Sequence, residues 1–192
     1  LVSVRVRERR VGLTKPGNRA CFATNLLAQD FKAAQVNQKW VADTTYVPTR
    51  EGWLYLVSVM DLCNRQVVGW AMGEHHDAAL ATSALDMAIL RRRPDEGLIL
   101  HSDRGSEFAN FTFQARALKE KFQLSMSGTG NCYDNASAES FFATLKLEAV
   151  QGEVFATREA ARRALFDFIE VFYNRQRLHS GLDYVSPARH AA

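Results

Sequence analysis

The sequence predicts an α/β fold: one mixed five-stranded sheet in the order βββαβαβα, with helices on both faces. Three observations carry this. Residues 40–73 are rich in β-branched and aromatic residues and are cut by short turns. From residue 77 the apolar spacing lengthens to helical intervals. Two short apolar runs, 97–103 and 122–127, then alternate with helical segments, the pattern of one sheet with helices packed on it.

Taken in order, residues 1–36 have weak periodicity and hold a turn at Lys15-Pro16-Gly17-Asn18; they read as a basic connecting arm. "WVADTTYVPT" (40–49) is β-branched and half alternating, and Pro48 is expected to end it. "REG" is a turn, "WLYLVSVMDL" (53–62) a longer strand, "CNRQ" a second turn and "VVGWAMG" (67–73) a third strand. Together they make an antiparallel meander. Leu80, Ala84, Met87 and Ala88 mark a helix over 77–92, which Pro94 stops. "GLILHSD" (97–103) is a continuous apolar run, as in a strand buried on both faces. A helix over 111–122 presents Phe113, Ala117 and Leu118, and "FQLSMS" (122–127) is the fifth strand. "GTGNCYDN" (128–135) is a Gly- and Asn-rich loop. Helices follow from about Asn135 to Val150 and from Thr157 to about Asn174.

Composition narrows the class. The chain has 192 residues, 47% of them hydrophobic, which suits one domain with a real core and excludes a disordered chain. No apolar run approaches the roughly 20 residues of a membrane span. The first 20 residues hold Arg5, Arg7, Arg9, Arg10, Lys15 and Arg19 rather than an apolar leader, and Leu1 reads as the start of a fragment. Cys21, Cys63 and Cys132 are odd in number and far apart, which argues against a disulfide framework or a cysteine zinc site and for a reducing cytoplasm. Residues 1–40 carry eight Lys/Arg against two Asp/Glu, whereas the remainder carry 16 against 19. A basic arm on a mildly acidic body points to a polyanionic partner, or else to a solvated tail.

Two acids fall where chemistry is done. Asp43 lies in the middle of the first strand, and Asp103 ends the fourth. If those strands are neighbours, the two carboxylates meet at one edge of the core, and Asp103 stands at the carboxyl end of a strand, where α/β sheets hold ligands. Gly105 lets the backbone turn away beside it, so Asp103 is placed to hold a cation. A third acid, Glu139, shares a helical stripe with Asn135, Phe142 and Lys146, beside an apolar stripe of Ala138, Phe141 and Leu145. That stripe suits a metal ligand with a phosphate contact about two turns away. Taken singly, Asp43 also reads as a strand-edge charge, Asp103 as the start of a turn, Asn135 as a helix cap and His101 as a satisfied strand histidine.

Asp103 and Glu139 are separated by 35 residues, and with Asp43 they resemble the DD35E triad of the retroviral integrase and transposase superfamily. The surrounding words are more specific. "WVADTTYVPT", "GWLYLVSVMDLCNRQVVGW", "HSDRGSEF", "SMSGTGNCYDNASAESFFATLKLE" and "YNRQRLHSGLDYVSPARH" resemble the catalytic half of bacterial insertion-sequence transposases, from about Asn37 to the C-terminus.

The resemblance implies a ribonuclease-H-like fold, with residues 1–36 as connecting arm, 37–175 as integrase-like catalytic core and 176–192 as tail. It implies DNA strand cleavage followed by strand transfer during transposition, in a bacterial cytoplasm close to the nucleoid. Two divalent cations, Mg²⁺ or Mn²⁺, are expected, Asp43 bridging both, Asp103 on one and Glu139 on the other. DNA contacts are expected from Lys146, Arg104, Asn135, Arg175, Arg177 and His179. An upstream helix-turn-helix part and a homo-oligomer on DNA are expected partners, and no membrane. Two alternatives stay open: a plain nuclease on the same fold, and a non-catalytic DNA-binding assembly module.

Overall fold

The computed structural model describes residues 22–128 and 136–190; the expected turn at Lys15–Asn18, most of the loop 128–135 and Asn135 itself lie outside them. The strands are β1 (Lys39–Thr49), β2 (Gly52–Asp61), β3 (Val67–Gly73), β4 (Ile99–Ser102) and β5 (Gln123–Met126). They form one sheet in the order β3-β2-β1-β4-β5. β1, β2 and β3 are the expected antiparallel meander, while β4 joins β1 and β5 joins β4 in parallel.

The helices are α1 (Ala78–Arg92), α2 (Phe111–Lys119), α3 (Ala136–Leu145), α4 (Arg158–Phe166) and a short α5 (Pro187–His190). Local chemistry sets their starts. Asp77, Asn110 and Thr157 are extended N-cap residues whose side chains accept from Leu80 N, Thr112 N and Ala160 N. Arg93 ends α1 in the left-handed region, at φ 44°, one residue before Pro94. α3 and α4 run on as wider π-helical turns, Lys146–Val150 and Asp167–Tyr173, so both long helices continue to about the expected ends.

Pro48 does not end β1, which continues through Thr49. Its carbonyl accepts from Phe155 N at 3.2 Å, so its backbone polar edge faces away from β2. β4 pairs with β1 only as far as Ala42, and the neighbour beside Pro48 is a one-residue parallel bridge, Phe155 opposite Thr49, whose bonds run to Pro48 O and from Arg50 N and do not call on the N–H that proline lacks.

Both faces of the sheet are covered. Trp40, Ala42, Val57 and Val59 pack with Ala81, Ala84, Leu85 and Ala88 of α1 and Phe113 and Ala117 of α2. Val41, Val47, Leu54 and Leu56 pack on the opposite face with Ala138, Phe141 and Leu145 of α3 and Ala161 and Leu165 of α4. The expected apolar stripe of α3 is thus the seat of that helix. Phe142 joins it and is buried, rather than lying outward with Glu139. Both flanks of the core are folded onto it: Leu27 is buried and takes Ser125 Oγ on its N–H, and Leu182 and Pro187 are buried in the C-terminal segment. Buried Asn174 accepts from Val67 N and donates to Val67 O, both at 3.0 Å, tying that segment to the start of β3. His101 is satisfied by Ser125 and Ser127, as a strand histidine should be. Among the described residues no helix is long and apolar enough to cross a membrane.

α1 lies close on the sheet because position 69 is glycine. A Cβ there would stand 2.3 Å from Ala84 O and 2.6 Å from Ala88 N, backbone atoms that cannot swing aside. Gly69→Ala is expected to cost at least about 1–3 kcal/mol of stability, read as a lower urea midpoint at unchanged m-value; an unchanged midpoint would show that α1 tolerates displacement from the sheet.

Candidate active site

Strand register brings the first two acids together. In the parallel β1–β4 pair, Ala42 stands opposite Ser102. Asp43 and Asp103 are the next residues on each strand, so they emerge side by side where β4 ends. Alternation decides which way β1 points. Asp43 shares the face of Val41 and Val47, the face that α3 covers, while Thr44 points to the face of Trp40 and Ala42.

A pocket of about 150 Å³ opens at this point, its lining including Asp43, Thr44, Asp103, Glu107, Tyr55 and His76. Asp43 Oδ1 accepts from Thr44 N at 2.7 Å, and Asp103 Oδ1 from Gly105 N at 2.9 Å. Burial pushes the Asp43 carboxyl up to about 8; the neighbouring charge of Asp103, then those of Glu107 and Glu139, add to the shift, and the Thr44 N–H opposes it. Burial also raises Asp103, with help from Glu107 and against the Gly105 N–H and His76. Glu139 stands in the first turn of α3, exposed and outside the pocket lining, and its charge reaches Asp43 from there.

Sequence reasoning missed two members of this site. Glu107 is buried, and its Oε1 lies 2.5 Å from His76 Nε2 and accepts from Thr44 Oγ1 at 2.9 Å. Burial raises Glu107, but the His76 bond and the further hydrogen bonds outweigh it and hold the carboxyl below the usual range. The same bond raises His76 against the effect of burial, and its ring stacks on Tyr55 at 5.4 Å. Glu107 belongs to the quoted word "HSDRGSEF", so its proximity to Asp103 was legible; its burial was not. Gly105 also has a different role from the one expected. A Cβ there would lie 2.5 Å from Glu107 Oε2 and 2.9 Å from Asp103 Oδ1, so glycine makes room for two carboxylates.

The expected DNA-contact residues are dispersed. Lys146 lies over the ring of Tyr46, at 5.4 Å, and Tyr46 lines the pocket. Arg104 donates through Nε to Ser127 O and lies over Phe22 at 5.1 Å. Arg175 is exposed. Arg177 pairs with Glu148 at 3.2 Å. His179 stands edge-on to Tyr173 at 4.9 Å, and burial pushes its imidazole down to about 4. Arg177 and His179 line a separate pocket of about 500 Å³ with Arg65, Ser137 and Tyr173.

The pocket's donors fit a hard divalent cation: they are carboxylate oxygens, crowded and desolvated. Among the described residues no three Asp, Glu, His or Cys side chains converge closely enough to hold one ion between them. Mg²⁺ commonly takes one or two carboxylates and completes its shell with water and phosphate, and Asp43 and Asp103 offer that pair.

This sheet order, with helices on both faces, is the ribonuclease-H-like fold of integrase cores. The structure overlays on the HTLV-2 integrase catalytic core domain in complex with magnesium (trimeric form) with a TM-score of 0.60, at 16% identity, covering 83% of this chain and 99% of that one. It overlays on the simian T-cell lymphotropic virus intasome in complex with PP2A regulatory subunit B56 gamma with a TM-score of 0.70, at 15% identity, covering 93% and 62%. Family models described as Integrase core domain match residues 33–132 and 139–191. The chain belongs to the integrase core domain family. Among curated relatives, it is 48% identical over 163 residues to "Transposase InsF for insertion sequence IS3A" of Escherichia coli (strain K12), covering 85% of this chain and 57% of that protein. It is 47% identical over 166 residues to "Insertion element IS600 uncharacterized 31 kDa protein" of Shigella sonnei, covering 86% and 61%. The chain thus spans about three fifths of the length of these relatives.

The raised Asp43 carboxyl has a consequence for stability. A carboxyl whose folded-state value lies near 8 rather than 3.8 favours folding while protonated, and that contribution is lost as pH rises from about 4 through about 8. In EDTA, Asp43→Asn is therefore expected to melt higher than wild type at pH 8 by about 3 °C or more, equivalent to roughly 1 kcal/mol, with a smaller difference at pH 5. A difference that does not grow with pH would mean that Asp43 ionises freely.

Proposed function

We propose that this chain is the catalytic domain of a DNA transposase, cleaving DNA strands and joining them by phosphodiester transesterification. The observation that carries the reading is the pair of desolvated carboxylates, Asp43 and Asp103, sharing one pocket at the carboxyl end of β4. The 48% identity to an insertion-sequence transposase supports it. In this reading residues 37–175 are the catalytic core, 1–36 the arm and 176–192 the tail. DNA is the partner, the working form is a homo-oligomer on DNA, and an upstream helix-turn-helix part reads the element's ends.

Asp43, Asp103 and Glu139 would hold divalent metal, two Mg²⁺ or Mn²⁺ ions. When bound, the metal supplies charge neutralisation on the phosphate and lowers the pKa of the attacking oxygen. The protein contributes position: β1 and β4 hold two acids at fixed register, and α3 carries the third. Water attacks a phosphodiester at the element's end, the bond to the 3′ oxygen breaks, and a 3′-hydroxyl is released. That hydroxyl attacks a second phosphodiester, forming a new P–O bond as the attacked phosphorus releases its own 3′ oxygen, which leaves as a hydroxyl; each bond broken is thus matched by one formed. Lys146 contacts phosphate from beside the pocket, with Arg104, Asn135, Arg175, Arg177 and His179 as further DNA contacts, and binding weakens steeply with salt.

A labelled donor DNA, incubated with target DNA and Mn²⁺, tests this. Wild type is expected to nick the donor and join it to target. Asp103→Asn and Glu139→Gln are expected to lose both activities by about 10³-fold or more while melting cooperatively. Nicking without joining would favour the plain nuclease; no activity in wild type, together with an Mn²⁺-insensitive Tm, would favour the non-catalytic module.

A further inference from the structure

Glu107 follows Asp103 by four residues and is only 3% exposed. Its two oxygens have different surroundings. Oε1 is engaged by Thr44 Oγ1 and His76 Nε2. Oε2 is cut off from solvent and has no hydrogen-bond partner among the described residues. A buried carboxylate oxygen left without a partner is costly, so it points to a ligand that completes it.

The geometry around Gly105 shows where that oxygen faces. One point, the place a Cβ would occupy at 105, lies 2.5 Å from Glu107 Oε2 and 2.9 Å from Asp103 Oδ1. Both oxygens therefore lie close against the same side of Gly105, where a side chain would displace them, and Asp103, Gly105 and Glu107 all line the pocket that also holds Asp43. If Glu107 served only to fix Thr44 and His76, Oε1 alone would be enough. The position of Oε2 beside Asp103 is what that simpler role leaves unexplained.

We propose that Glu107 is a supporting acid of the cation site: its Oε2 acts with Asp103 on a divalent cation through one bound water, since among the described residues no three acids converge closely enough to grip one ion directly. This inference rests on the proposed reading of Asp43 and Asp103 as a metal site and adds a member to it. It also gives "HSDRGSEF" a compact logic. The word supplies one acid from the strand end and a second from the loop, with a residue lacking Cβ between them.

Mn²⁺ titration followed by the electron paramagnetic resonance signal of the free ion tests this without any reaction. The 192-residue chain would be compared with Glu107→Gln, Asp103→Asn and His76→Gln. Glutamine keeps a carbonyl for Thr44 and His76 and removes the anionic oxygen. Glu107→Gln is expected to weaken Mn²⁺ binding about tenfold or more with a cooperative metal-free melt, and His76→Gln to have a much smaller effect. Wild-type affinity in Glu107→Gln, with binding lost in Asp103→Asn, would overturn the inference and leave the reading of the site intact. Absence of Mn²⁺ binding by the wild type would overturn both. Should Glu107→Gln fail to fold, Glu107→Asp withdraws the oxygen by one methylene while keeping the charge, and wild-type affinity there would overturn the inference equally.

Discussion

The parallel pairing of β1 with β4 is the constraint on which the rest of this structure depends. It aligns Ala42 with Ser102, so the next residues on both strands, Asp43 and Asp103, leave the sheet together. One residue of slip would carry Asp43 to the opposite face, away from α3 and Glu139. The register is therefore held firmly. Trp40, Val41 and Ala42 are fully buried, and the N–H of Ile99 reaches Gln38 O at 2.9 Å. Beyond Ala42 the two strands part, and the pocket opens in the space that a longer β4 would have filled.

That pocket is unfavourable for folding, and this links it to function. Like charges in a desolvated space oppose one another's ionisation, and Asp43 is accordingly pushed up to about 8. The surrounding structure offsets the cost. Two well-packed clusters sandwich the sheet, α1 is seated close on Gly69, and Asn174 pins the C-terminal segment to β3. Within the site, His76 and Thr44 stabilise Glu107 while leaving one of its oxygens unengaged.

Much of this was legible in the sequence, for physical reasons. The meander over 39–73 announces itself by β-branched residues and short turns, and the helices by their apolar spacing. The apolar stripe of Ala138, Phe141 and Leu145 correctly gave the seat of α3. Pro48 misled because its rule concerns ladders that need the missing N–H, and on that side β1 has only the one-residue bridge to Phe155, which does not use it. Glu107 and His76 escaped because burial of a charged side chain depends on which loops meet, and no periodicity encodes that. The conversion of α3 and α4 into wider turns at Lys146 and Asp167 likewise left no mark in the spacing.

The central claim is that Asp43 and Asp103 form a metal-holding pair at the parting of two parallel strands. The most direct measurement is the anomalous difference density of a crystal of this chain soaked in Mn²⁺. The account predicts a peak at the mouth of this pocket, at coordination distance, about 2.0–2.6 Å, from carboxylate oxygens of both residues. Strong Mn²⁺ peaks elsewhere, with both carboxylates free of metal, would contradict it.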